Sequence, residues 1–395
     1  MVDTLRTVLA TMVIVAAAPL VVALIPGRIP QVVVLIVGGI VIGPEVLGVG
    51  HPQDVALFAN LGLGFLFLLA GYELDPGLLR ERVGRLATWA WLISVTLAVA
   101  VVGVLAQVGF VHAFVPVSIA LTTTALGTLL PILRERGITG TPFGRFVFAG
   151  GAVGEMGPVL AMALLLGKQS SLVEVLAVAA IGAAAFALSM LPRLLRGTRV
   201  AEVITRGEHE TSQTTLRFTV LLLVLLLYLS ARFGLDVVLG AFFAGMVLRR
   251  WAPGDVASLE HKLDAVGYGF FIPVFFVASG MGLDVNSIAS APGRLVVFFV
   301  LLLAVRGAPA LLVYRRDLRF VRRVQLMLLT ATALPLLVAL TEIGLANGTM
   351  LPENAAALVG AGVLSVAFFP VLAMRLEPRA RMLEGDVPAD PAPDR

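Results

Sequence analysis

TTTALGTLLP, residues 122 to 131, interrupts an apolar run long enough to cross a membrane, and TATALP, residues 330 to 335, interrupts a second run in the same way. Each places β-branched hydroxyl residues, then Pro131 (after Gly127) or Pro335, at mid-helix, where a regular ladder of backbone hydrogen bonds is hard to keep. Two interrupted, crossing helices are expected. Their loosened carbonyls and the hydroxyls of Thr122, Thr123, Thr124, Thr330 and Thr332 can replace the hydration shell of a cation, while the half-helix ends supply partial charges. On a single helix such threonines more often bond back to their own backbone or join neighbouring helices. The same placement in two segments favours the ion reading.

The echo extends outward from this pair. LGLGFLFLLAGYELD (61 to 75) has a counterpart in VGYGFFIPVFFVASGMGLD (266 to 284), and PVLAM occurs at both 158 to 162 and 370 to 374. Three echoes in the same order predict a duplication. Apolar runs give candidate spans near 6 to 25, 31 to 47, 54 to 74, 85 to 109, 114 to 133, 142 to 166, 172 to 195, 215 to 232, 236 to 250, 262 to 282, 292 to 313, 320 to 345 and 352 to 375. The expected fold is therefore an all-α polytopic membrane protein of about 13 helices, in one transmembrane domain over 1 to 376. Two six-helix repeats, 6 to 166 and 215 to 375, flank a linker helix at 172 to 195. An odd linker inverts the second repeat relative to the first, the arrangement from which transporters build two conformations open to opposite sides. The remainder, 377 to 395, reads as a short disordered tail rich in Pro, Asp and Ala.

Composition supports this at every point. Of 395 residues, 59% are hydrophobic and only 14% charged, and the mean hydropathy is +0.99, beyond what a soluble domain of this size can bury. With these spans, 24 of the 29 Lys and Arg fall on one side. By the positive-inside rule that side is cytoplasmic, the N-terminus lies outside and the C-terminus inside, and the compartment is the cell inner membrane. The basic residues form no aromatic-interleaved patch, so no nucleic-acid partner is expected. Cysteine is absent, which removes disulfides, zinc ribbons and iron–sulfur ligation. No cofactor is expected. The four His (His51, His112, His209, His261) lie in loops or at span edges, and no Gly-x-Ser-x-Gly or His-Glu-x-x-His occurs, which argues against an intramembrane enzyme.

Most acids, including Glu45, Glu73, Asp75, Asp236, Asp264, Asp284 and Glu342, sit at span ends, where interfacial solvation accounts for them. Two charges remain deep: Glu155 at the centre of 142 to 166, and Arg306 in 292 to 313. A buried carboxylate costs several kcal/mol unless protonated, paired or hydrated, so it marks function. Such a group can hold a proton or, after losing it, a monovalent cation, and competition of two ions for one carboxylate is coupling in its simplest form. A permanent Glu155 to Arg306 ion pair is the alternative, and Arg306 can also serve as charge partner to the empty carboxylate. The glycines around Glu155 (Gly150, Gly151, Gly154, Gly157) read first as close-packing positions. The matching place in the second repeat holds Ala367, so only one half carries the acid.

GGIVIGPEVLG (38 to 48), LFLLAGYELD (66 to 75), the Thr-rich break, VVLGAFFAGMVL (237 to 248), FFIPVFFVASGMGLD (270 to 284) and AALVGAGVLSVAFFP (356 to 370), in that order, resemble the sodium/hydrogen exchanger superfamily, specifically the second family of bacterial cation:proton antiporters. The resemblance covers about 25 to 375. It implies a homodimer and an elevator-like motion of a core, the fourth to sixth and eleventh to thirteenth spans, against a dimerisation domain. It also puts Glu155 where the family keeps its ion-binding Asp, and Arg306 where it keeps a basic partner. Two departures stand out: Glu replaces Asp, and Gly154 stands where relatives have Asp, Asn or Gln. With one carboxylate, one-for-one electroneutral exchange is expected. The expected partners are protons, a monovalent cation (Na+ or K+) bound at Glu155 with Thr123, Thr124, Thr330 and Thr332, and the lipid bilayer. Two other transport readings stay open on this scaffold: an ion channel, or a sodium-coupled carrier of an organic anion.

Overall fold

The computed structural model describes residues 2–24, 30–73, 76–165, 176, 179–188, 190, 213–233, 237–251, 256–290, 292–346 and 348–384. The regular structure in them is helical. The first half contains α1 (Val2–Leu24), α2 (Gln31–Ile42), α3 (Ala56–Glu73), α4 (Pro76–Arg80), α5 (Arg82–Gln107), α6 (Phe114–Ala120), α7 (Leu126–Glu135) and α8 (Pro142–Leu165). Then come α9 (Ala179–Leu188), α10 (Thr214–Arg232), α11 (Val237–Trp251), α12 (Val256–Val266), α13 (Ile272–Met281), α14 (Val285–Ser290), α15 (Pro292–Leu301) and α16 (Pro309–Val313). The chain finishes with α17 (Phe320–Thr330), α18 (Pro335–Ala346), α19 (Pro352–Arg375) and α20 (Glu377–Glu384).

Eight stretches among the described residues are long and apolar enough to cross a membrane, so the chain is a multi-pass membrane protein. The expected spans 31 to 47, 114 to 133, 142 to 166, 172 to 195 and 236 to 250 are not among those eight. Two of them have evident reasons: α2 is short, and 114 to 133 is split into α6 and α7. The linker span is described only in part, by α9, and Asp75, Asp236 and residues 385–395 lie outside the described residues. Exposed apolar side chains on α1 and α5, such as Leu5, Leu9, Val13, Trp89, Val99 and Val104, suit a face turned to lipid.

Glycine sets how the middle of the molecule packs. A Cβ on Gly71 of α3 would strike the Phe242 carbonyl of α11, and one on Gly245 of α11 would strike the Leu68 carbonyl of α3. The same relation joins α2 to α13, where Gly39 faces the Val277 carbonyl and Gly280 faces that of Ile36. Small residues thus let two helix pairs approach backbone to backbone. In each pair, the second span of one expected repeat meets the third span of the other.

The segment read as a disordered tail needs correction at its start. Its first eight residues form α20, because a buried cation on α17 needs an acid: Arg322 Nη1 donates to Glu377 Oε2 at 2.6 Å, Gln325 Nε2 donates to the same oxygen at 2.9 Å, and Arg381 Nε reaches Oε1 at 2.8 Å. The Pro-, Asp- and Ala-rich composition begins only after Glu384.

Candidate ion site at the helix crossing

The two Thr-rich segments break their helices as expected. Helix stops at Ala120 and resumes at Leu126, and stops at Thr330 and resumes at Pro335. The extended stretches meet: Ala125 N donates to the Thr332 carbonyl at 2.8 Å. A third helix is tied in by Thr124 N, which donates to the Gly154 carbonyl of α8 at 2.9 Å. Glu155 is the next residue, so the crossing is fastened to the backbone beside the deep carboxylate.

Of the threonines, four bond back to their own segments. Thr122 and Thr123 hydroxyls donate to Ile119 and Ala120 carbonyls, both at 2.8 Å, and those of Thr330 and Thr332 donate to Leu326 and Leu328 at 2.8 and 3.1 Å. They add a second bond to carbonyls near the half-helix ends; those of Ile119 and Ala120 also accept from Thr122 N and Thr123 N. Each hydroxyl oxygen still keeps lone pairs after donating. Thr124 alone bridges: its Oγ1 donates to the Thr330 carbonyl at 2.6 Å and accepts from Arg306 Nε at 2.9 Å.

Arg306 is 2% exposed, and its second contact runs from Nη2 to the Gly150 carbonyl at 2.7 Å. No ion pair joins it to Glu155 among the described residues. A guanidinium this deep carries a large desolvation cost, offset by charge-assisted bonds worth about 1.5–3 kcal/mol each. Its fork therefore joins α8 to the first break, and through Thr124 to the second. Arg306 stands on a π turn, Leu302–Gly307, which ends two residues before Pro309. Proline offers no N–H and crowds the carbonyl four residues back, and widening the turn relieves both. Ala308 N accordingly donates to Leu303 O, five residues back.

The glycines of α8 make this contact possible. A Cβ on Gly154 would run into both Arg306 Nη2 and the Thr124 side chain. Gly154→Ala is expected to cost about 1–3 kcal/mol by overpacking and to slow transport, which thermal melting and flux assays would register. Gly151 faces Leu126 and Gly157 faces Trp91 in the same way. Close packing is thus their structural role.

Glu155 itself is buried, 5% exposed, and its carboxyl accepts no hydrogen bond among the described residues. Its charge lies within electrostatic reach of Glu73, and Tyr268 lies within reach of both. Glu73, expected at a solvated span end, has one carboxyl oxygen buried. Sequence reasoning missed it because span ends are known only to a few residues. Ser365 was missed too. Its hydroxyl accepts from Ala333 N at 3.0 Å and shares its one proton between Ala333 O at 2.9 Å and Gly362 O at 2.8 Å, serving the second break as Thr124 serves the first. Ser365→Ala should leave Ala333 N without its acceptor and cost about 1–3 kcal/mol, read as a lower melting temperature.

Two cavities flank the crossing. One of about 1100 Å³ is lined by Gly127, Thr128, Arg136, Tyr268, Pro370 and Arg375. The other, of about 320 Å³, is lined by Ala59, Ser279, Thr341, Pro352 and Ala355. They lie at opposite ends of α19, a helix of 24 residues and so about 36 Å long. The larger one opens on the Arg-rich side.

The family model described as sodium/hydrogen exchanger, transmembrane, matches residues 10–374. The putative Na+/H+ antiporter YjbQ of Bacillus subtilis (strain 168) is 27% identical over 379 residues, covering 90% of this chain and 60% of its own. The Na+/H+ antiporter NhaS4 of Synechocystis is 24% identical over 313 residues, 72% of this chain and 75% of its own. Cation/H+ antiporter 18 of Arabidopsis thaliana is 29% identical over 294 residues, 67% of this chain, which spans only 35% of that longer protein. Among solved structures, the sodium proton antiporter MjNhaP1 of Methanocaldococcus jannaschii shares the fold, with a TM-score of 0.59 at 16% identity over 95% of both chains. With a family model matching nearly its whole length, the chain belongs to the sodium/hydrogen exchanger family of membrane transporters.

Proposed function

We propose that the protein exchanges a monovalent cation, Na+ or K+, for protons across the cytoplasmic membrane by alternating access, with Glu155 as the shared site. The observation that carries this reading is a buried carboxyl at mid-span that accepts no hydrogen bond among the described residues, beside two crossing broken helices with a cavity at either end. Glu155 supplies the charge. The oxygens of Thr123, Thr124, Thr330 and Thr332 supply neutral ligands, with Thr124 best supported because its backbone is bonded to the residue before Glu155. Arg306 serves as charge partner at one remove: it holds the crossing rigid and keeps positive charge near the empty carboxylate without neutralising it directly.

The helix pairs α3 with α11 and α2 with α13 support the inverted repeat, since they exchange equivalent spans between halves. Motion of the six-span core against the rest, in a homodimer with its N-terminus outside and C-terminus in the cytoplasm, would then expose Glu155 to each cavity in turn. The named antiporters among the relatives favour exchange over a channel or an organic-anion carrier. Among the described residues the cation tied to the crossing is Arg306, and two of its donors are used by Thr124 and Gly150.

The test is collapse of an imposed pH gradient in sealed vesicles on adding Na+, K+ or Li+. At least one is expected to dissipate the gradient with saturation, at a rate insensitive to membrane potential as one-for-one exchange requires. Flux without a counter-ion would instead indicate conduction.

A further inference from the structure

Pro131 lies inside α7 and has no N–H, so the carbonyl of Gly127, four residues earlier, lacks its helical donor. A side chain from another helix supplies one. Tyr268 Oη donates to the Gly127 carbonyl at 3.2 Å. Tyr268 stands on the π turn Gly267–Phe271 that joins α12 to α13, a turn widened ahead of Pro273 as the Arg306 turn is ahead of Pro309. The tyrosine oxygen sits in van der Waals range of the Gly127 Cα side, 3.4 Å from where a Cβ would stand. Both residues line the cavity on the Arg-rich side. The ion pair Arg134 to Asp264 also links α7 to the neighbouring α12, but at 3.9 Å and with side chains 51% and 41% exposed it contributes little.

We infer that Tyr268 is a positioning residue that latches α7 in the conformation open to the Arg-rich face and releases the Gly127 carbonyl when α7 moves. The inference rests on the alternating-access reading above. Because Pro131 removes the internal donor, this carbonyl is paired by protein in one conformation and must take water in the other. A general helix–helix contact would not depend on Pro131 at all.

The chain contains no cysteine, so single reporters can be placed without background. Thr128→Cys reports the larger cavity and Ala59→Cys the smaller, each labelled by a water-soluble maleimide in the full-length protein in vesicles. Tyr268→Phe should lower the ratio of Thr128→Cys to Ala59→Cys labelling rates about three- to tenfold, the range for losing one neutral hydrogen bond. Pro131→Ala restores an N–H within the helix, so in that background Tyr268→Phe should leave the ratio nearly unchanged. An unaltered ratio in Tyr268→Phe alone, or an equal effect with and without Pro131→Ala, overturns the latch. If either occurs while Glu155→Gln still abolishes exchange, only the latch fails; exchange that survives Glu155→Gln removes the reading beneath it.

Discussion

Glu155→Gln is expected to reduce cation-driven collapse of a pH gradient to the rate of protein-free vesicles. Glutamine keeps nearly the same volume and hydrogen-bonding capacity but can neither release a proton nor bind a cation by charge. The carboxyl makes no hydrogen bond to described residues, so no structural contact is lost with it. Removing a buried ionisable group also removes its desolvation cost. The variant should therefore melt at or above the wild-type temperature while losing transport. Flux and melting measured on one preparation separate loss of chemistry from loss of fold.

Arg306→Ala should be nearly as damaging to transport, for a different reason. It removes the donors to Thr124 Oγ1 and Gly150 O and opens a cavity at the crossing, so α8 is no longer fastened to the first break by a side chain. The loss of two charge-assisted bonds, about 1.5–3 kcal/mol each, is partly cancelled by relief of burying a charge. Transport should fall tenfold or more, the scale of about 1.4 kcal/mol at the barrier, with a smaller drop in melting temperature. Arg306→Lys should recover only part of the rate, because one ammonium cannot reproduce the planar fork. Were the two groups a structural ion pair, Glu155→Gln would rescue the stability of Arg306→Ala. The geometry predicts near-additive effects on melting instead.

What could be read from sequence was whatever depends on one segment at a time. The breaks at 122 to 126 and 330 to 334 follow from local hydroxyl, glycine and proline chemistry: α6 and α17 end, and α7 and α18 begin, where that chemistry places them. The depth of Glu155 and Arg306 followed from span centring, and both are buried. What the segments do to one another was hidden. Arg306 donates to an oxygen 182 residues away, and Ser365 completes a break 32 residues away. The threonines were read as one set, but only Thr124 bridges between helices; the others bond back to carbonyls of their own segments, as helical threonine hydroxyls tend to do. One hidden partner had a usable signal. Pro131 four residues after Gly127 announces a carbonyl in need of a donor, although nothing local identifies Tyr268 as its source.

The claim that proton and cation share Glu155 is tested most directly by calorimetric titration of the purified protein with Na+ and with K+, in buffers of differing ionisation enthalpy. Binding of the transported ion should release close to one proton per ion from the wild type, weaken as pH falls, and vanish in Glu155→Gln. Cation binding without proton release, or binding that persists in Glu155→Gln, would contradict it.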